Sequence, residues 1–283
     1  MSYPLHFDLK DKVVVITGGA GVLGSHFSKA IAQAGGKVVI LGRSLEKAEI
    51  LENAIRAAGY QALAVSADVL NKTSIEQAKL LINQTFGPID ILINGAGGNN
   101  PKATTFEEYF NPNTLDNPNQ RNFFNLDLEG FNEVFGLNFT GTLIPTQIFA
   151  QDMIGRKGCN ILNISSMSAF NPLTKIPAYS AAKAAINNFT QWMSVHFAEH
   201  GIRVNALAPG FFATEQNKTL LFTEDGKLTP RSHKIIAGTP MKRFGEPEEL
   251  VGTVLWLIDS RQSQFVTGIV VPVDGGFSAY SGV

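Results

Sequence analysis

The sequence predicts an α/β fold, a doubly wound parallel sheet of about seven strands with helices on both faces, and two observations predict it. Short apolar, β-branched runs alternate with segments of helical periodicity along the whole chain. The first such run leads straight into a glycine-rich turn, Thr17 to Gly24. Parallel strands covered on both faces read as near-continuous apolar runs, as these do. A chain of 283 residues that is 44% hydrophobic suits one domain, residues 1–283, with a substantial core.

Strands are expected at Val13 to Ile16, Val38 to Leu41, Ala62 to Val65, Ile89 to Ile93, Asn160 to Ile164, Arg203 to Ala206 and Ile269 to Pro272. Between the first two, Leu23, Phe27, Ala30, Ile31 and Ala34 recur at helical spacing, and Gly35-Gly36 ends the helix. A later helix is expected to begin at Thr73, because Thr73 and Glu76 have capping-box spacing. Two segments break the rhythm. Residues 97–128 are rich in Asn, Pro and Phe and far exceed the ~2–6 residues usual for a βα connection. Residues 211–240 follow Pro209-Gly210 and contain Thr219, Thr223, Gly226, Thr229 and Pro230. Both follow strands, so both belong at the carboxyl edge of the sheet, where they are expected to cover a substrate.

Composition narrows the function. A formal net charge of −1 supplies no field to recruit nucleic acid or an anionic membrane, and no basic or aromatic stripe is visible. No stretch approaches the ~18 consecutive apolar residues of a membrane span. The first residues carry Pro4, Asp8 and Asp11 where a signal peptide needs an apolar run. The expectation is a soluble, cytoplasmic protein with a small-molecule substrate and no metal. Cys159, the one cysteine, reads as a small buried residue at the start of a strand.

Gly19-Ala20-Gly21-Val22-Leu23-Gly24 satisfies G-x-G-x-x-G, follows a strand, opens a helix and is followed about 20 residues later by the end of a second strand. That is the setting of a dinucleotide site in a Rossmann-like fold. Glycines let the backbone approach a pyrophosphate, whose charge the first-turn N–H groups and helix dipole favour. Gly18, Gly19, Gly21, Val22, Leu23 and Gly24 are therefore cofactor candidates. The second strand ends Leu41-Gly42-Arg43-Ser44, without the acidic residue that binds a ribose 2′-hydroxyl. Arginine can accept a 2′-phosphate, so Arg43 tilts the choice toward NADP(H); the other reading is an exposed helix-start residue against the adenine. Asp68, next to Val69, either contacts the adenine amino group or caps the following turn.

Tyr179 and Lys183 lie four apart among good helix formers, on one helix face. A tyrosine hydroxyl, with a pKa of about 10, works near neutrality only where a cation stabilises its phenolate, and Lys183 is placed to supply one. Ser166 stands 13 residues before Tyr179, just past the strand ending at Ile164, and Asn138 stands in a helix.

In order and in Ser-to-Tyr spacing, Asn138, Ser166, Tyr179 and Lys183 resemble the catalytic residues of the short-chain dehydrogenase/reductase family. Asn94-Gly95-Ala96-Gly97 looks like its sheet-stabilising Asn-Asn-Ala-Gly motif, with Gly95 for the second Asn. Pro209-Gly210 with Thr214 looks like the segment holding the nicotinamide end, and Asp274-Gly275-Gly276 like the closing motif. One departure stands out: the family's turn, Thr-Gly-x-x-x-Gly-x-Gly, places a glycine where this chain has Val22, with Gly21 beside it.

The resemblance implies an NAD(P)-dependent oxidoreductase acting on CH–OH groups. Tyr179 would exchange a proton with the substrate oxygen, and Ser166 would hydrogen-bond that oxygen. Lys183 would lower the tyrosine pKa and anchor the nicotinamide ribose, while Asn138 would hold a relay water. Asn94, Ala96, Gly97, Tyr179, Lys183, Pro209, Gly210 and Thr214 are implied cofactor contacts.

The loop after Gly97, residues 209–217 and residues 239–245 look like the short-chain type of D-mannonate oxidoreductase, or fructuronate reductase. That implies an anionic sugar acid as substrate and NAD(H) as cofactor, against the NADP(H) suggested by Arg43. Asn99, Asn100, Lys102, Arg121, Gln216 and Asn217 are candidates to hold its carboxylate and hydroxyls. The same four residues would serve another polyol or sugar-acid dehydrogenase, such as a gluconate 5-dehydrogenase. A non-catalytic dinucleotide sensor is the reading of another class, and the intact tetrad argues against it. Family members commonly form tetramers, so a homotetramer is implied; Ile186, Phe189, Trp192 and Phe197 fit either an interface or a core.

Overall fold

In the computed structural model, which describes residues 6–214 and 221–282, the strands are β1 Val13–Thr17, β2 Lys37–Gly42, β3 Ala62–Ser66, β4 Ile91–Asn94, β5 Cys159–Ile164, β6 Ile202–Pro209 and β7 Val270–Val273. All pair in parallel, in the order β3-β2-β1-β4-β5-β6-β7. Strand order reverses between β1 and β4, where Thr17 pairs with Asn94, and Asn94 in turn with Asn163 on β5. The crevice beyond such a switch point is where open α/β sheets bind ligands.

The apolar runs are continuous because each strand feeds two cores at period two. Val14, Ile16, Val38 and Ile40 face one way, onto Phe27 and Ile31 of α1 (Val22–Gln33), Leu51 and Ile55 of α2 (Leu45–Ala57), and Val254, Leu257 and Ile258 of a helix late in the chain. Val13, Val15, Val39 and Leu41 face the other way, onto Ile75 and Ile82 of α3 (Lys72–Thr85) and onto Phe149 and Met193. Fully burying one such side chain contributes about 1.5–3 kcal/mol.

Helix boundaries follow local chemistry. Gly35, at φ 90°, ends α1 in the left-handed conformation that glycine adopts without strain. Helix α3 begins one residue before the Thr73 start expected from the capping-box spacing. Its cap is Asn71, whose side chain accepts from Ser74 N at 3.0 Å, and an Asx side chain at N-cap outcompetes a threonine two positions later. Residues 97–128 owe their asparagines to the same device: Asn100, Asn111 and Asn122 each cap a short 3-10 turn, at Pro101–Ala103, Pro112–Thr114 and Phe123–Asn125.

After that loop come α4 (Leu128–Phe135), a π-helical turn Gly136–Thr140 and α5 (Gly141–Phe149); the helix expected around Asn138 is thus interrupted at Asn138 itself. The 20-residue α6 is Pro177–His196. In the second of the two long segments, Phe222 bridges Leu228 and Thr229 caps α7 (Pro230–Gly238), with α8 (Val251–Ile258) completing the first core. Gln216, Asn217 and Thr219 lie outside the described residues. Ile186 belongs to the core, whereas Trp192 is 55% exposed.

Candidate active site

The carboxyl ends of β1, β2, β4, β5 and β6 open into one cavity of about 560 Å³. Its floor is the glycine turn. A Cβ at Gly24 would lie 2.2 Å from Gly18 O, one at Gly21 3.0 Å from the same oxygen, and one at Gly18 3.0 Å from Gly95 O. The turn therefore closes only with bare backbone, and Val22 is tolerated because it is already the first residue of α1, with its side chain on the cavity wall. The backbone N–H groups of that helix start, beside the cavity, suit a pyrophosphate. Thr17 holds the opposite wall: its Oγ1 accepts from Gly95 N and Ala96 N, both at 3.1 Å.

Most of the expected cofactor positions line this cavity. Gly18, Gly21, Val22, Leu23, Gly24, Arg43, Val69, Ala96, Gly97, Pro209, Gly210 and Thr214 do so together with Ser166, Tyr179 and Lys183. Three do not. Gly19 packs behind the turn, where a Cβ would meet Ile16 O at 2.9 Å. Asp68 is turned to its own loop and accepts from Leu70 N at 3.0 Å, the capping alternative. Asn94 is buried in the sheet, donating to Asn163 Oδ1 at 2.9 Å and Thr146 Oγ1 at 3.0 Å. Gly42, beside Arg43, lines the cavity too, as do Gly98, Ser165 and Phe212, of which Gly98 and Ser165 are marked only by their neighbours Gly97 and Ser166 and Phe212 by no local signal.

Lys183 and Asn138 meet around Gly97, where an added Cβ would lie 2.6 Å from Asn138 Oδ1 and 3.2 Å from Lys183 Nζ. Asn138 is fully buried: Nδ2 donates to Gly98 O at 2.7 Å and Val134 O at 2.8 Å, and Oδ1 accepts from Gly98 N at 3.3 Å. The π-helical turn thus locks the loop after β4 to the helix beside α6. Lys183 Nζ donates to Ile164 O at 2.7 Å and sits 5.7 Å from the centre of the Tyr179 ring. Burial pushes its pKa down to about 8.

Tyr179 differs from the expectation. Burial pushes its hydroxyl above the ordinary tyrosine value, and the opposing pull comes from its hydrogen bond with Ser166 rather than from Lys183. The reason is geometric, since the ammonium is committed to Ile164 O. Cys159 is buried at the start of β5, and burial raises its pKa.

The sugar-acid candidates of residues 97–128 are bonded within that loop or to the helix that follows it. Asn99 Nδ2 donates to Thr104 Oγ1 at 3.1 Å, and Asn100 caps Lys102 N at 2.8 Å while its Nδ2 bonds Glu133. Arg121 donates to Pro101 O and Thr104 O and lies over the Phe106 ring, 5.3 Å from its centre. Lys102 is exposed. Among the described residues, no group of acidic, cysteine and histidine side chains could hold a metal, and no helix is long and apolar enough to cross a membrane.

Comparison with known proteins agrees with this geometry. The family model for short chain dehydrogenases matches residues 12–225. A Bacillus subtilis protein called "Uncharacterized oxidoreductase UxuB" is 56% identical over 280 residues, 99% of each chain. A Haemophilus influenzae structure, provisionally described as a D-mannonate oxidoreductase with bound NAD, superposes with a TM-score of 0.94 at 52% identity over 98% of both chains. A Burkholderia cenocepacia gluconate 5-dehydrogenase, solved with NADP and tartrate, has a TM-score of 0.81 at 29% identity, covering 97% of this chain and 98% of its own. With a matching model over most of its length and relatives of this identity, the chain belongs to the short-chain dehydrogenase/reductase family and is an NAD(P)-dependent oxidoreductase acting on CH–OH groups.

Proposed function

We propose that the protein interconverts a keto sugar acid and its alcohol, D-fructuronate and D-mannonate, with Tyr179 as the general acid and base. The observation that carries the reading is the convergence of Ser166, Tyr179 and Lys183 on the wall of a cavity whose floor is a bare glycine turn. The substrate rests on the likeness to the Haemophilus influenzae structure over nearly the whole chain.

Gly18, Gly21 and Gly24 would hold the pyrophosphate, Arg43 the adenosine end, and Lys183, Pro209, Gly210 and Thr214 the nicotinamide end. When bound, the cofactor exchanges the hydride and, in its oxidised form, carries a positive charge. The chain's own work is on the proton. In reduction Tyr179 Oη donates its proton to the ketone oxygen, and Ser166 Oγ–H donates a hydrogen bond to that oxygen as charge develops there. A hydroxyl held above its ordinary pKa by burial is protonated at neutral pH, which suits a proton donor. Asn138 fixes Gly97 and Gly98 against Lys183 and so holds the wall of the proton path. A homotetramer in the cytoplasm completes the proposal; the exposed Trp192 and Val195 on α6 are consistent with a partner there.

The test is nicotinamide absorbance with purified protein and D-fructuronate, run with NADH and NADPH in parallel. Oxidation of either supports the substrate; none with either, while 5-keto-D-gluconate is reduced, replaces it with the gluconate reading. That second reading is favoured by the Burkholderia neighbour, solved with tartrate, a hydroxy acid.

A further inference from the structure

Ser166 does not stand alone beyond β5. It caps the 3-10 turn Met167–Ala169, and Ser168 in that turn meets it twice. Ser168 N–H donates to Ser166 Oγ at 3.2 Å, and Ser168 Oγ donates to the same oxygen at 3.0 Å. Both serines are buried. A hydroxyl oxygen has two acceptor lone pairs and one proton to give. With both lone pairs engaged by Ser168, what Ser166 has left is its proton.

We infer that Ser168 is a positioning residue: by donating twice to Ser166 Oγ it makes Ser166 a donor only, committed to Tyr179 Oη and to the substrate oxygen that Tyr179 serves. This rests on Tyr179 as the proton-exchanging group and is independent of which sugar acid is turned over. A tyrosinate and a developing alkoxide accept hydrogen bonds more strongly than their protonated forms, so a donor-only Ser166 favours both. A Ser166 free to accept would instead take a hydrogen bond from the neutral phenol and hold it. The direction in which the Ser166 bond moves Tyr179, downward against burial, agrees. Donors in series also polarise one another, which strengthens the last bond of the chain.

The ionisable groups on the elements packed about Tyr179 are Lys183 and, at the far end, His196 on its own helix, Lys102 on the turn Pro101–Ala103, and Glu129 and Glu133 on α4; the turn Met167–Ala169 carries none. A change at Ser168 therefore leaves every charge in place and alters only the hydrogen bond.

The experiment is an alkaline titration of tyrosinate absorbance on the full-length protein, taken as the difference from Tyr179→Phe, with the pH–rate profile of alcohol oxidation as an independent reading of the same group. Ser168→Ala should raise the Tyr179 midpoint by about 0.5–1 pH unit and lower kcat about threefold to tenfold, the effect of losing one hydrogen bond, with KM for the cofactor unchanged. Ser168→Thr, which keeps the hydroxyl, should restore both. In a Ser166→Ala background, Ser168→Ala should change neither. A midpoint that stays or falls in Ser168→Ala, or an equal shift in the Ser166→Ala background, overturns the inference. Ser168→Cys, a weaker donor of similar size, should give an intermediate shift and decides the matter if the alanine variant is unstable. The titration uses no substrate, so failure with D-fructuronate leaves it standing.

Discussion

Burial depresses Lys183 to about 8, so near neutral pH the folded chain carries a cost of about 3 kcal/mol for keeping that ammonium charged. The unfolded chain holds the proton up to about 10.5 and the folded one only to about 8. Between those values the unfolded state binds more protons, and stability rises with pH. Lys183→Met should raise Tm at pH 7 by about 2–6 °C, an advantage that shrinks as pH approaches 10, while activity is lost. A lower Tm at pH 7 would mean that the bond to Ile164 O outweighs the burial cost.

Tyr179→Phe should cut kcat at least about 100-fold with cofactor affinity intact, measured by quenching of protein fluorescence. Arg43 decides a different property. If it takes a 2′-phosphate, Arg43→Ala should weaken NADPH binding about 10- to 100-fold and NADH binding little; equal loss of both would leave it only an adenine neighbour.

Among elements, the glycine turn and the interrupted helix carry the site. Gly24 is required by close approach rather than by conformation, since its φ is ordinary and only the 2.2 Å contact with Gly18 O excludes a side chain. Gly24→Ala must push the turn open, so dinucleotide affinity should fall at least about tenfold while far-UV circular dichroism keeps the native helix content. Native affinity would place the pyrophosphate elsewhere. The π-helical turn shows a limit of periodicity: apolar spacing continues across it, but Asn138 Nδ2 donates to Val134 O, and the extra residue lets Asn138 face Gly98. Likewise the Asn71 cap was readable in principle, yet the Thr73–Glu76 spacing was the more conspicuous pattern.

Across the whole molecule, stability and chemistry are placed at opposite edges of the sheet. At the amino edge Asp90 accepts from Val13 N at 2.9 Å and from Arg156 Nη2 at 2.5 Å, with Lys12 Nζ at 3.3 Å. Asp90 is buried while its cationic partners are about one-third exposed, so Asp90→Ala should cost about 2–4 kcal/mol and lower Tm by about 5–15 °C. Turnover of the folded fraction should not change, because the cavity lies beyond the other ends of the same strands. A drop in kcat measured well below Tm would show that the two edges are coupled.

The sequence by itself determined the sheet, the glycine turn and the order of Asn138, Ser166, Tyr179 and Lys183, because strand periodicity, turn chemistry and i, i+4 spacing are local properties of the chain. Only the tertiary structure decided which polar residues face the cavity. Asn94 is absorbed by Asn163 and Thr146, Asp68 by its own turn, and Asn99, Asn100 and Arg121 by the loop that carries them. It also decided that Lys183 is bonded to Ile164 O and that Ser168 backs Ser166. A buried polar atom must find a partner, and for Asn94 the partners Thr146 and Asn163 come from segments that meet only when the sheet is assembled, while for Asp68 and Asn99 a nearby backbone or side-chain group gets there first.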